Sequence, residues 1–158
     1  MTASAPDRQL VVFSLHGEYY ALPVASVREI VRYSAPRVTG AASGLVQGMI
    51  SLRGKVLPVV DLSGRLGREL EVARGTRIMV IELRRGALGL IVDSVEGVWR
   101  VPAVQIEPLP VPATEDGLGK EIAAVGERLI MLIDAERALG SALPTRAPRR
   151  RRTIPPPQ

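Results

Sequence analysis

Apolar residues in the first part of the chain recur at the two-residue period that is typical of β-strands. Residues 11–15 predict one strand and residues 18–23 predict its antiparallel return, with His16-Gly17 as the turn between them. Residues 24–31 differ, because their apolar positions recur at helical spacing. They predict a short helical turn that Ser26 caps, with a strand as the alternative for the second half.

Three more hairpins and a closing helix follow along the chain. The hairpins lie at residues 50–52 and 56–62 around Arg53-Gly54, at residues 76–84 and 87–95 around Arg85-Gly86, and within residues 121–134 around Gly126-Glu127. Residues 135–143 predict the short helix. The pattern indicates about nine or ten short strands with a few helical turns, so the predicted fold class is all-β and barrel-like.

Composition agrees with one folded domain. The chain has 158 residues, of which 46% are apolar, enough to bury a single core. No apolar run approaches the roughly 20 residues of a membrane span, and the N-terminus lacks the basic-then-apolar pattern of a secretory signal. We therefore expect a cytoplasmic protein. The chain has no cysteine, which excludes disulfides and thiolate metal sites.

The net charge of +5 belongs to the C-terminal tail. Residues 144–158 carry five arginines and no acidic residue, whereas residues 1–143 carry equal numbers of basic and acidic residues. We expect residues 1–8 to be flexible, residues 9–143 to form the folded domain, and the Arg/Pro-rich tail, residues 144–158, to be disordered. The tail predicts a weak contact with an anionic membrane; the alternative is a solubilising tail without a partner.

Candidate chemistry is sparse. The segment from Gly48 to Lys55 departs from the phosphate-loop pattern, since five residues separate Gly48 from Gly54 and Val56 follows the lysine. His16, the only histidine, lies beside a turn glycine, so the sequence indicates no catalytic triad. The sequence thus predicts no catalytic, metal-binding or cofactor-binding residue. It indicates a binding module without a small-molecule substrate.

Four segments, in their order along the chain, resemble the CheW family, the coupling proteins of bacterial chemotaxis. They are "VVFSLHGEYYALPVASVREIV", "LVQGMISLRGKVLPVVDLSGRLG", "GLIVDSVEGV" and "GERLIMLIDAERAL". The resemblance runs from about Leu10 to Leu139. The element G-x-x-x-L-R-G-x-x-x-P-V-x-D-L is specific, and its order relative to the flanking motifs is more so.

The resemblance implies two intertwined, five-stranded SH3-like barrels with short helical turns and a short C-terminal helix. It also implies a non-enzymatic adaptor that couples the cytoplasmic tips of methyl-accepting chemoreceptors to the regulatory domain of a CheA-type histidine kinase. Such an adaptor takes no cofactor and lies at receptor arrays on the inner face of the membrane. In the family, the receptor's helical hairpin lies against a groove between the barrels, and the kinase domain pairs barrel to barrel with the coupling protein.

By position in the family motifs, eight residues are candidate partner contacts. They are Val27, Glu29, Ile30, Gly48, Arg53, Gly54, Val95 and Val98. The apolar four are as compatible with core as with interface, Glu29 with a solvated side chain, and Gly48 with a purely conformational role. We favour a contact for Arg53, because a Leu-Arg-Gly hairpin corner points the arginine outward.

The chain departs from the family pattern at two places and leaves two other functions open. Glu121 or Ile122 stands where the family has a glycine, and Trp99 where it has a smaller aliphatic residue. One other function is an SH3-like nucleic-acid-binding module that uses the basic tail, although the neutral body and only five aromatic residues argue against it. The other is a small enzyme, which the single histidine disfavours.

Overall fold

A computed structural model describes residues 6–38, 44–109 and 119–143, which form eleven strands and one short α-helix. The strands are β1 (Arg8–Leu15), β2 (Glu18–Pro23), β3 (Val27–Arg32), β4 (Val46–Leu52), β5 (Lys55–Val60), β6 (Arg77–Leu83), β7 (Gly86–Val92), β8 (Ser94–Val101), β9 (Ile106–Pro108), β10 (Gly119–Val125) and β11 (Arg128–Ile133). The helix α1 spans Ala135–Leu139. The predicted Arg-rich tail and most of the predicted flexible N-terminus lie outside the described residues.

The strands form two sheets that exchange the chain between them. One sheet has six strands in the order β8-β1-β2-β11-β10-β9, and the other has five in the order β3-β6-β7-β5-β4. The chain begins in the six-stranded sheet, builds the whole five-stranded sheet, and then returns. The mostly-β, intertwined architecture is therefore confirmed, with a sixth strand in one sheet where five were predicted.

Both faces of the inner strands β1, β6 and β7 are buried, which explains their unbroken apolar runs in the sequence. An inter-sheet cluster, which includes Phe13, Leu22, Met79, Leu90 and Val92, fills the space between the sheets. The far face of each sheet packs on a cluster of its own. The six-strand cluster includes Leu10, Val12 and Ile130, and the five-strand cluster includes Val59, Ile78 and Ile91.

The five-stranded sheet curls until its two edges approach each other. Arg37, beyond the end of β3, forms an isolated antiparallel bridge with Met49 in β4. The Arg37 N–H donates to the Met49 carbonyl at 2.8 Å, and the Met49 N–H donates back at 2.9 Å. Because β3 and β4 are the outer strands of this sheet, the bridge turns an open sheet toward a barrel.

Hairpin turns follow the sequence predictions with one exception. His16-Gly17 and Arg53-Gly54 both have positive φ at both residues, which is the geometry of a type I′ turn. Leu83 pairs with Gly86, so the turn between β6 and β7 consists of Arg84 and Arg85. The predicted turn at Arg85-Gly86 was wrong by one residue, because Gly86 continues the ladder as the first residue of β7.

The helical spacing of residues 24–31 was only partly a helix signal. Val24–Ser26 forms a single 3₁₀ turn and the strand β3 follows at once, so the alternative of a strand in the second half is correct. Pro23 rather than Ser26 precedes the turn, and no side chain caps it. The closing helix is confirmed: the Asp134 carboxylate accepts a hydrogen bond from the Arg137 N–H at its start.

No helix in the part of the chain that the structure describes is long and apolar enough to cross a membrane.

Candidate partner-binding site

A β-bulge in β3 places Val27 and Ile30 on the same face of the five-stranded sheet. Val27 pairs with Ile81 and Ile30 with Met79, while the register shifts at Arg28. Directly opposed residues of an antiparallel pair point to the same side, and both partners belong to the inter-sheet cluster. Without the extra residue, a spacing of three would send the two side chains to opposite faces.

A second bulge does the same in β8, on the other sheet. Val95 pairs with Phe13 and Val98 with Val11, and the register shifts at Glu96. Phe13 and Val11 also belong to the inter-sheet cluster. Val27, Ile30, Val95 and Val98, which we call the inter-sheet rim, therefore all point toward the side on which the sheets face each other.

The inter-sheet rim is half anchored and half exposed. Val27 and Val95 are partly buried against the inter-sheet cluster. Ile30 is 41% exposed and Val98 is 60% exposed. Within each pair, one residue thus packs on the core and the other is exposed as an interface residue would be. Exposed apolar side chains beside a fixed apolar base are typical of a surface that a partner covers.

Glu29 and Arg53 meet at the edge of the five-stranded sheet. The Arg53 Nη1 donates to Glu29 Oε1 at 2.5 Å and to Oε2 at 2.6 Å. The Glu29 side chain is 20% exposed and the Arg53 side chain 73% exposed. The hydrogen bond, and then the attraction of the opposite charge, raise the pKa of Arg53 above its ordinary value. Glu29 therefore holds the arginine in place while most of its surface stays free.

The hairpin corner orients Arg53 through an uncommon backbone conformation. Arg53 has φ 50° and Gly54 has φ 78°, both in the left-handed region that favours glycine. Leu52 packs inward against the five-strand cluster, as the alternation of side chains predicts. Gly54 supplies the second positive φ of the turn, which is a conformational reason for its presence.

Gly48 is buried under a crossing segment of backbone. A Cβ at this position would lie 2.4 Å from the Arg37 carbonyl oxygen and 3.0 Å from the Pro36 Cβ. The first of these contacts is closer than any side chain permits, so the glycine makes room for the Arg37–Met49 bridge. The structure thus gives Gly48 an architectural role, and its place among the partner contacts stays a prediction.

Sequence reasoning missed a polar joint at His16. The His16 Nε2 and the Ser63 Oγ lie 2.7 Å apart, and the backbone N–H of His16 donates to the Asp93 carboxylate at 2.7 Å. Ser63 is 1% exposed and begins a 3₁₀ turn over Ser63–Leu66, where its N–H donates to the Asp61 carboxylate. The joint connects the β1–β2 turn to the segments that follow β5 and β7. The serine hydroxyl is buried, and the aspartate accepts from the His16 backbone rather than from its ring. The arrangement is therefore a structural contact and not that of an activated nucleophile.

The two departures from the family pattern lie at opposite ends of the six-strand cluster. The Arg128 guanidinium lies 4.8 Å from the Tyr19 ring centroid and 5.9 Å from that of Trp99. Glu121 accepts hydrogen bonds from Arg8 at 3.1 Å. Both unexpected residues therefore have partners within this chain.

Within the described ranges, no group of three or more histidine and acidic residues is arranged to hold a metal ion.

Comparisons with known proteins agree on one family. A family model described as "CheW-like domain" matches residues 9–143. The chemotaxis protein CheW of Bacillus subtilis is 34% identical over 147 residues, which cover 88% of this chain and 94% of that protein. A probable chemotaxis protein CheW of Rhizobium etli is 31% identical over 133 residues, covering 82% of this chain and 86% of that protein.

A solved structure has the same fold. The crystal structure of the scaffolding protein TtCheW from Thermoanaerobacter tengcongensis superposes with a TM-score of 0.73 at 33% sequence identity. The match covers 82% of this chain and 89% of that one.

Proposed function

This chain belongs to the CheW-like domain family, and we propose that it is a non-enzymatic scaffold of chemotaxis signalling that couples chemoreceptor tips to a CheA-type histidine kinase. Its similarity to chemotaxis proteins CheW and to a scaffolding protein supports this role. The observation in the chain itself that carries the proposal is the inter-sheet rim. Two separate bulges turn four apolar residues toward the space between the two sheets and leave two of them exposed.

For the receptor contact, the proposal assigns the inter-sheet rim to the helical hairpin tip. A helix presents apolar residues as a narrow stripe, and a rim with an anchored base and exposed Ile30 and Val98 is complementary to such a stripe. Glu29, on the opposite face of the same edge strand, holds the mostly exposed guanidinium of Arg53 from the β4–β5 turn. Arginine in an interface can be a hot spot, because it donates several hydrogen bonds and covers apolar surface with its stem.

For the kinase contact, the proposal assigns the place where the two edges of the five-stranded sheet approach each other. An apolar depression there is lined by Ala35, Met49 and Val56 among others, and Val56 is 63% exposed. A barrel-to-barrel contact on this scale buries near or below the standard ~800 Å² per partner. We expect micromolar affinity, since an array that assembles from many repeated contacts gains its strength from multivalency.

The test measures the two contacts separately by titration calorimetry. One titrant is a cytoplasmic chemoreceptor fragment that contains the hairpin tip, and the other is the isolated regulatory domain of a CheA-type kinase. Val98→Glu should weaken receptor binding by about tenfold or more, because a carboxylate is buried without a partner. The same variant should leave kinase binding unchanged, whereas Val56→Glu should do the reverse.

A matched control is Val72→Glu, since Val72 is 54% exposed in the segment between β5 and β6 and outside both surfaces. It should bind both titrants as the wild type does. If the wild type binds neither titrant at high concentration, the proposal is wrong. If all three variants lose both contacts together, the assignment of two separate surfaces is wrong.

The proposal includes a place at receptor arrays on the inner face of the membrane. Fluorescent fusions should collect at receptor clusters in a cell that has them and spread through the cytoplasm in a receptor deletion strain. The family membership does not favour the nucleic-acid-binding alternative.

A further inference from the structure

Two arginines lie directly opposite each other where β3 and β6 meet. Arg32, the last residue of β3, pairs in register with Arg77, the first residue of β6. Opposed side chains in an antiparallel pair lie close together on one face, where like charges repel. This repulsion destabilises the fold, so stability does not explain why two arginines are paired here.

The arginine pair continues the line of the inter-sheet rim. Ile30 pairs with Met79, two residues before Arg32 pairs with Arg77, so Ile30 and Arg32 are neighbours on the same face of β3. Arg77 also pairs with Val92 of β7, a member of the inter-sheet cluster. The two guanidinium groups thus stand at the end of the surface that Ile30 exposes.

This end of β6 also lies beside the start of β8. A Cβ built on Gly75 would lie 3.3 Å from the Asp93 carbonyl oxygen and 3.8 Å from the Ser94 Cβ. Ser94 is the first residue of β8, and Val95 of the inter-sheet rim follows it. The arginine pair is therefore close to both strands that carry the rim.

Neither arginine forms an ion pair with an acidic side chain among the described residues. Over residues 6–38, 44–109 and 119–143, the ion pairs are Arg8–Glu121, Arg28–Glu82 and Arg53–Glu29. The Arg77 Nη1 donates instead to the carbonyls of Arg74 at 2.9 Å and Thr76 at 3.0 Å, which fixes the group without cancelling its charge. Arg32 is exposed. The pair offers two positive charges, one of them held in place, to whatever covers the rim.

We propose that Arg32 and Arg77 select for an acidic side chain on the helical partner that covers the inter-sheet rim. The inference rests on the proposed function, because it takes the receptor hairpin as the occupant of the rim. The chemistry is a carboxylate placed next to an apolar stripe: the stripe contacts Ile30, and the carboxylate accepts hydrogen bonds from the guanidinium groups. Ile30 beside the arginines favours such a protein partner over a polyphosphate or a membrane surface, which would meet a continuous basic patch.

The experiment uses the full chain and the chemoreceptor fragment of the calorimetric test. Arg32→Gln and Arg77→Gln are measured singly and together across a series of salt concentrations. The double variant should bind at least about fivefold more weakly at low salt, and the difference from the wild type should shrink as salt rises. Arg84→Gln is the matched control, since Arg84 is an exposed arginine in the turn at the other end of β6.

A charge swap identifies the partner residue. Each acidic residue at the tip of the receptor fragment is changed to lysine in turn. One of these fragments should bind the wild-type chain poorly and bind Arg32→Glu better, a reciprocal rescue that a merely structural arginine would not give. Melting curves accompany every variant, and if the double variant is unfolded, the exposed single variant Arg32→Gln decides.

The outcomes distinguish this inference from the proposed function on which it rests. A wild-type chain that binds no receptor fragment overturns the proposed function and this inference with it. A wild-type chain that binds, with Arg32→Gln and Arg77→Gln binding equally well at every salt concentration, overturns this inference alone. Loss of binding to anionic vesicles without loss of receptor binding would also overturn it, because the arginines would then serve a membrane.

Discussion

Glu29 and Arg53 lie 24 residues apart and join the two outer strands of the five-stranded sheet, β3 through its own side chain and β4 through the turn that follows it. The pair adds a side-chain contact to the backbone bridge between Arg37 and Met49. The more buried partner is the carboxylate, and the arginine is the exposed one. The geometry is therefore that of a positioned guanidinium rather than that of a buried ion pair.

Arg53→Ala should separate stability from partner binding. The Arg53 guanidinium is largely solvated, and ion pairs with an exposed partner contribute little to folding, so the melting temperature should change by only a few degrees. Binding of the receptor fragment or the kinase domain should fall by about five- to 150-fold if Arg53 is a contact. Parallel melting curves and binding isotherms give both quantities from one preparation.

Two companion variants identify the cause of a loss. Arg53→Gly removes the side chain but suits the left-handed backbone at this position, so its melting temperature should equal or exceed that of the wild type. Glu29→Gln keeps Arg53 and releases it, and should weaken binding less than removal of the arginine does. Unchanged affinity in Arg53→Ala and Arg53→Gly would show that Arg53 is not a contact.

Gly48→Ala should destabilise the fold rather than delete a contact. The new Cβ would meet the Arg37 carbonyl oxygen at 2.4 Å, and a backbone atom cannot move aside as easily as the end of a side chain. We expect a loss of about 1–3 kcal/mol in the free energy of unfolding, the usual cost of overpacking. Gly64→Ala is the control, since a Cβ there meets nothing within 4 Å and Gly64 is not among the glycines with positive φ. Denaturation curves in which both variants match the wild type would contradict this account.

Much of the fold was predictable because its signals are local. The turns at His16-Gly17, Arg53-Gly54 and Gly126-Glu127 follow from X-Gly or Gly-X pairs between apolar runs, and the structure has all three. The turn at Arg84 and Arg85 has no such signal. The prediction placed Gly86 in the turn, but Gly86, with a φ of 147°, is the first residue of strand β7.

The geometry of the candidate site depends on features that no local pattern reports. Family position named the four residues of the inter-sheet rim, yet only the bulges at Arg28 and Glu96 put each pair on one face. A bulge is set by the register of the neighbouring strand, which is distant in sequence. The contact between Glu29 and Arg53 likewise requires that the sheet curl, and a lone arginine in a turn gives no sign of its distant partner.

Arg128→Ala should loosen the packing of Tyr19 and Trp99 against the six-strand cluster. The fluorescence of Trp99, the only tryptophan, should report this change. Arg128 lies over the rings of Tyr19 and Trp99, and exposed cation–π contacts contribute about 0.5–1 kcal/mol. The unfolding free energy should fall by about that amount, and the tryptophan emission of the folded protein should shift to longer wavelength as water replaces the guanidinium. Arg100→Ala removes an exposed arginine next to Trp99 in sequence and should change neither quantity.

The joint between His16 and Ser63 should behave as one coupled contact between the two sheets. Ser63→Ala removes the hydroxyl that lies 2.7 Å from the His16 Nε2, and the half-buried ring then has only partial access to water as a replacement. We expect the unfolding free energy to fall by about 1 kcal/mol, with a decrease in melting temperature of roughly 3–5 °C. His16→Asn is the partner variant, because asparagine tolerates the φ of 50° at this turn and removes the ring. In a double-mutant cycle the second substitution should cost less than it does alone, with a coupling energy of about 0.5–1.5 kcal/mol. Strictly additive effects would mean that the two side chains are neighbours without an energetic link, and that other contacts hold the β1–β2 turn to the five-stranded sheet.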